Sequence, residues 1–118
     1  MRKVTIKAES LHAAGERFKR TWKTGQADGE FITFETADLM LQTLTRKRWE
    51  LINTLMRQGA MGLRELARMV KRDPKNVHTD ITALKEIGLV QDVGEQIGVP
   101  YDEIDYIIMR PKRVAAHA

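Results

Sequence analysis

The stretch Gly62–Val90, GLRELARMVKRDPKNVHTDITALKEIGLV, limits what this chain can fold into more than any other part of it. Leu63, Leu66, Ala67 and Val70 recur at i, i+3, i+4 and i+7, which is one face of an α-helix, and Val77, Ile81 and Leu84 repeat that spacing. Between the two series stands Asp73-Pro74. Proline lacks a backbone N–H and suits the first turn of a helix, with the preceding aspartate as N-cap. Gly88 fits a left-handed helix stop. The spacing therefore predicts two short amphipathic helices joined by a tight turn, the second over about residues 74–87. That is a helix-turn-helix, a motif whose second helix enters a DNA groove.

Two short helices cannot bury a core unaided. The neighbouring sequence offers the missing surface. Thr36 caps a short helix, ADLMLQTL, and Thr45 caps a longer one, RKRWELINTLMRQG, with the apolar series Trp49, Ile52, Leu55 and Met56. Gly59 ends it and Gly62 bends the chain into the motif. Beyond Gly88, Leu89–Val93 and Asp105–Met109 carry strand signals flanking the turn-rich Gly94–Pro100, and Pro111 stops the second. A hairpin directly after a recognition helix is a wing. The N-terminal part adds a short strand or arm at 3–8, a helix from the N-cap Ser10 to about Thr24, a stop at Gly25, a loop at 26–29 and a strand at 30–35. On that helix Leu11, Ala14, Phe18 and Trp22 share one face.

Composition narrows the function classes. The chain has 118 residues, the size of one ordinary domain, and a net charge of +4. It has no cysteine, which excludes disulfides and zinc–thiolate sites. No apolar run approaches the roughly 18 residues of a membrane span, and the N-terminal residues lack the apolar core of a signal peptide, so a cytoplasmic protein is expected. His12, His78 and His117 are scattered without acidic partners at ligand spacing, and no nucleophile–base set or glycine-rich phosphate loop occurs. The expectation is no enzyme, no catalytic residue, no metal and no cofactor.

Charge is unevenly spread. Residues 64–75 carry a net +3, and residues 92–105 a net −5 with no lysine or arginine. One end of the molecule suits phosphates and the other does not. With Val77, Ile81 and Leu84 turned inward, Lys75, His78, Thr79, Thr82 and Glu86 fall on the opposite face, and Asn76 sits near the helix start. Lys75, Asn76, His78, Thr79 and Thr82 are the expected base-reading set, since asparagine pairs with adenine, lysine meets guanine and threonine touches a thymine methyl. The same residues equally describe the solvated face of an amphipathic helix. Arg64, Arg68, Lys71 and Arg72 are the expected phosphate contacts.

At this point a resemblance enters. KNVHTDITALKEIGLV resembles the recognition helix of MarR-like winged helix-turn-helix regulators, in particular small prokaryotic members carrying a run similar to KNVHRDVKALEELGLV. FETADLMLQTLTRKRWELINTLMRQG and VPYDEI are similar to the segments flanking the motif there, so the likeness covers roughly residues 30–109. Lys75, Asn76, Val77, His78 and Asp80 match position by position, and Thr79 departs where arginine is usual, so no operator preference carries over. The resemblance implies a transcriptional regulator, usually a homodimer, with some members resembling antitoxins encoded beside a toxin.

These readings predict a mainly α fold with a β-hairpin wing (α+β), a winged helix-turn-helix over 36–110 preceded by an extension at 1–35 and followed by a flexible tail at 111–118. Its ligand would be double-stranded DNA, read by a homodimer on two half-sites. Leu11, Phe18, Trp22 and Phe31 of the extension are the expected dimerisation residues, having no other evident task. The acids Asp92, Glu95, Asp102, Glu103 and Asp105 would make the wing unfit for phosphate. That motivates an alternative: a protein-interaction module, such as an antitoxin, covering a basic partner protein with an acidic hairpin.

Overall fold

The structure, a computed structural model, describes residues 1–24, 29–108 and 113. The expected helix stop at Gly25, the loop at 26–28, the strand end at Met109, Pro111 and all of the expected tail but Arg113 lie outside the described residues. The order is β1 (Lys3–Ala8), α1 (Leu11–Thr24), β2 (Glu30–Phe34), α2 (Ala37–Thr43), α3 (Arg46–Gln58), α4 (Leu63–Val70), α5 (Pro74–Glu86), β3 (Gln91–Val93), β4 (Gln96–Gly98) and β5 (Glu103–Ile107). This is an α+β fold of five helices and two small sheets among the described residues.

The helices start where their caps dictate. Thr36 Oγ1 accepts from Leu39 N at 3.1 Å, and Thr45 Oγ1 from Arg48 N at 3.3 Å. The Asp73 carboxylate accepts from Lys75 N at 2.8 Å, with Pro74 as the first helical residue. Each bond satisfies a donor that the first turn leaves without an intrahelical partner. At the far end of α5, Gly88 adopts φ +86° and Leu89 N returns to Leu84 O at 3.0 Å, closing the helix. Leu51, Ile52 and Leu55 of α3, Leu66 and Ala67 of α4, and Val77, Ile81 and Leu84 of α5 are buried together, with Leu89 and Val90 beneath them. The predicted inward faces of α4 and α5 are thus the faces that pack.

The strands depart from expectation. β3 pairs not with 103–107 but with β4, inside the segment read as turn-rich, with Val93 opposite Gln96. The two-residue turn Gly94-Glu95 carries φ +63° at Gly94, as a type II′ hairpin turn requires at its first central position. Met61, between α3 and α4, adds a rung by exchanging both backbone bonds with Ile97, at 3.0 and 2.8 Å. β5 leaves the hairpin altogether and lies parallel to β1, Val4 beside Ile104 and Ile6 beside Tyr106. On the other side of β1, β2 is also parallel, with Ile6 beside Ile32 and Ala8 beside Phe34. The sheet order is β2-β1-β5. A local pattern marks a strand but not a parallel partner a hundred residues away. The N-terminal segment is therefore built around the last strand, and Val4 and Ile6, both fully buried, belong to the same core as α3 and α5.

α1 is the exception to this packing. Its residues facing the molecule are Ala14, Arg17 and Thr21, all only partly buried. Arg17 holds it to the sheet, donating to the Glu9 carboxylate at 2.8 Å and lying 4.1 Å above the Phe31 ring. Leu11, Phe18 and Trp22 point elsewhere and are 80%, 67% and 81% exposed.

Candidate nucleic-acid interface

α4 and α5 are held at a fixed angle by an ion pair on their inner side. Asp80 lies on the buried face of α5, three residues after Val77 and four before Leu84. Arg72, in the turn between the helices, donates Nη2 to Asp80 Oδ2 at 2.7 Å. Arg48 of α3 donates Nε to Oδ1 at 3.0 Å and Nη1 to Thr43 O at 2.8 Å. The Asp80 side chain is only 15% exposed. Burial pushes its carboxyl pKa up, but hydrogen bonds from the two arginines outweigh burial and hold it below the ordinary carboxylate value. One carboxylate thus ties α3, the turn and α5 together.

Arg72, one of the expected phosphate contacts, therefore has a partner inside the fold. Its guanidinium is bound at 2.7 Å and largely covered, and it positions the helices while also lining the cleft beside α4. The other three expected contacts, Arg64, Arg68 and Lys71, are exposed, and the structure brings them to one concave strip. A cleft between α4 and the start of α5 is lined by Arg64, Ala67, Arg68, Lys71, Arg72 and Pro74. A second, adjoining it, is lined by Leu63, Arg64, Pro74, Lys75, His78 and Thr79. Arg64 and Pro74 belong to both, so the clefts form one basic groove along the entry of α5.

Lys71 has a backbone cost. It ends α4 with φ +57° and ψ +48°, a left-handed conformation in which glycine would be unstrained. Its N–H and that of Arg72 close the helix onto Arg68 O at 3.2 Å and Ala67 O at 3.0 Å.

On α5, Lys75, Asn76, His78, Thr79 and Thr82 are all exposed, as the periodicity requires. Thr79 and Thr82 spend their hydroxyl protons on Lys75 O at 3.1 Å and His78 O at 2.9 Å. They therefore offer a methyl and an acceptor oxygen, but no free O–H donor. The basic groove meets this face at Lys75, His78 and Thr79.

The other sequence-derived sites fare differently. Leu11, Phe18 and Trp22 remain together as an exposed stripe, but Phe31 does not join them. It lies on the outer face of β2, covered by Arg17 and by Lys7, whose ammonium is 4.9 Å from the ring. The acidic cluster is also dispersed. Only Asp92 and Glu95 sit on the hairpin, and Asp92 pairs with Lys85 of α5 at 2.6 Å. Asp102 accepts from Arg2 N at 2.7 Å, and Asp105 pairs with Lys3 at 3.0 Å, so these serve the β1–β5 junction. The acidic hairpin expected from 92–105 is thus two acids, one of them engaged within the chain.

Sequence reasoning overlooked Arg48 and Asp80. The signal was present, because Asp80 shares the helical face of Val77 and Leu84, and Arg48 shares that of Ile52 and Leu55. A charge on an inward face implies an inward partner. Among the described residues there is no cluster of His, Cys, Asp or Glu able to hold a metal, and no helix long and apolar enough to cross a membrane.

Comparison with known proteins gives one family. No curated protein and no solved structure matches the chain significantly. The family model HVO_A0114 matches residues 43–106, more than half of the chain, running from the end of α2 into β5 and taking in α3, α4, α5 and the hairpin. The chain belongs to the HVO_A0114 family.

Proposed function

We propose that this protein is a sequence-specific, double-stranded-DNA-binding transcriptional regulator of winged helix-turn-helix type. α4 and α5 are its helix-turn-helix, β3–β4 its wing, and α5 lies in the major groove. The observation that carries this reading is the continuous groove in which Arg64, Arg68 and Lys71 of α4 meet Lys75, His78 and Thr79 of α5. Cations beside a helix entry suit phosphates, and the polar face that continues from them suits base edges. Asn76, His78, Thr79 and Thr82 read bases. Arg64, Arg68 and Lys71 hold the backbone, and Lys75, which the helix periodicity put in the base-reading set, joins them because it lines the same cleft as Arg64. The Arg48–Asp80–Arg72 triad fixes the angle at which α5 is presented.

The test is binding to duplex DNA from upstream of the protein's own gene and to random duplex, across a salt series. Preference for the upstream site by about 10³-fold, lost in an Asn76→Ala/His78→Ala variant, is the expected result. Equally weak binding to both, unchanged in the variant, would make the groove scaffold. The alternative reading, a partner protein held by an acidic hairpin, loses most of its basis once Asp102 and Asp105 are engaged at the β1–β5 junction.

A further inference from the structure

α1 carries a stripe that none of the described residues covers. Leu11, Gly15, Phe18 and Trp22 are spaced four, three and four residues apart, so they form one line along the helix, about a quarter-turn away from the sheet-facing Ala14, Arg17 and Thr21. The three large side chains are at least two-thirds exposed, and the Phe18 and Trp22 rings lie 6.5 Å apart. A 14-residue helix is marginal in water without a packed face, and α1 has only a thin one. Gly15 weakens it further, yet a Cβ at Gly15 would meet nothing within 4 Å. No contact among the described residues accounts for the glycine.

We infer that α1 pairs with α1 of a second copy of this chain, antiparallel about a two-fold axis, with Phe18 of each copy seated in the notch left by Gly15 of the other. The register follows from the stripe alone. In one antiparallel alignment, Leu11 faces Trp22 of the partner while Gly15 faces Phe18, so every large side chain meets a smaller one. A parallel alignment would place the two Trp22 rings together and the two glycines together, leaving a gap. Charge selects the same direction. The exposed cations Lys19, Arg20 and Lys23 all lie in the second half of α1, and Glu16 in the first. Antiparallel pairing sets each basic half against the half without exposed cations and opposes the helix dipoles, whereas parallel pairing stacks the cations.

Area sets the strength. Two aromatic side chains and a leucine contribute roughly 400–500 Å² per copy, so two copies cover roughly 800–1,000 Å², the lower edge of specific interfaces. The association is therefore weak and concentration-dependent. It is independent of the DNA-binding proposal, because α1 contributes nothing to the α4–α5 groove.

Sedimentation of the DNA-free protein over a wide concentration range tests it. The expected result is a mass rising from 13.5 kDa to twice that value. Phe18→Asp stays at the monomer mass with unchanged thermal melting, since Phe18 belongs to no internal cluster. The register is read by a short bismaleimide, the chain having no cysteine of its own. His12→Cys and Lys19→Cys variants, which flank the stripe, cross-link when mixed and at least ten-fold less when separate. A protein that stays monomeric, a dimer that survives Phe18→Asp, or cross-linking of each variant with itself would each overturn the proposal.

Discussion

Two residues show what single side chains contribute to the proposed interface. Lys71 holds a left-handed conformation at the end of α4 that a non-glycine residue adopts at a cost of about 1 kcal/mol. Lys71→Gly should therefore raise stability by about 0.5–1 kcal/mol in urea unfolding while weakening DNA binding. A substitution that stabilises the fold and harms binding separates the ammonium's role from the backbone's. Loss of stability, or unchanged binding, would remove Lys71 from the interface. Asp80 acts the other way. Asp80→Asn leaves Arg48 and Arg72 without their carboxylate and should cost about 2 kcal/mol at neutral pH, below the full value of a buried pair because some solvent reaches it. Its carboxyl pKa is lower folded than unfolded, so the stability it supplies is complete above the ordinary carboxylate range near 3.8. That stability disappears as pH falls through the lower folded value. The gap between wild type and Asp80→Asn, measured by urea unfolding, should shrink below about pH 4. A gap independent of pH would mean that the side chain acts by packing alone.

At the scale of elements, legibility in the sequence followed locality. α3, α4 and α5 could be placed because caps and 3.6-residue periodicity reside within each segment: Thr45, Asp73-Pro74 and Gly88 mark ends, and Val77, Ile81 and Leu84 mark the inward face. The exposed polar face of α5 followed from the same arithmetic. Strands were also readable at 30–35 and 105–109, close to the observed 30–34 and 103–107, but strand partnership was not. The pairing of β5 with β1 spans the whole chain, and the two-residue turn at Gly94-Glu95 was hidden among other turn formers. Hence a hairpin was expected in the right place with the wrong second strand. The boundary expected at residue 35 suffers from the same blindness, since β1 is the central strand between β2 and β5. A consequence can be measured. Ile6 is fully buried between Ile32 and Tyr106, so Ile6→Ala should cost about 3 kcal/mol. It should do so in one transition, seen alike by helical circular dichroism and by Trp49 fluorescence in a Trp22→Phe background, because the Trp49 ring lies 4.6 Å from that of Tyr106. Two separated transitions would show the N-terminal sheet to be an independent unit.

For the whole molecule, function depends on how charge and apolar surface are divided. Cations collect along the α4–α5 groove, while acids are drawn to the β1–β5 junction and the hairpin. Such a separation makes a salt prediction that no single contact makes. If Arg64, Arg68, Lys71 and Lys75 each neutralise a phosphate, the logarithm of affinity should fall with that of salt at a slope of about −4 per bound protomer. Arg64→Ala/Arg68→Ala should reduce the steepness by about 2 and weaken upstream and random DNA alike, leaving the preference between them intact. Asn76→Ala/His78→Ala should do the reverse, keeping the slope and erasing the preference. Arg64 and His78 line the same cleft, so a general disturbance of α4 and α5 would change slope and preference together in both variants. That joint loss, rather than the crossed pattern, would show that the groove does not divide its labour between phosphate and base.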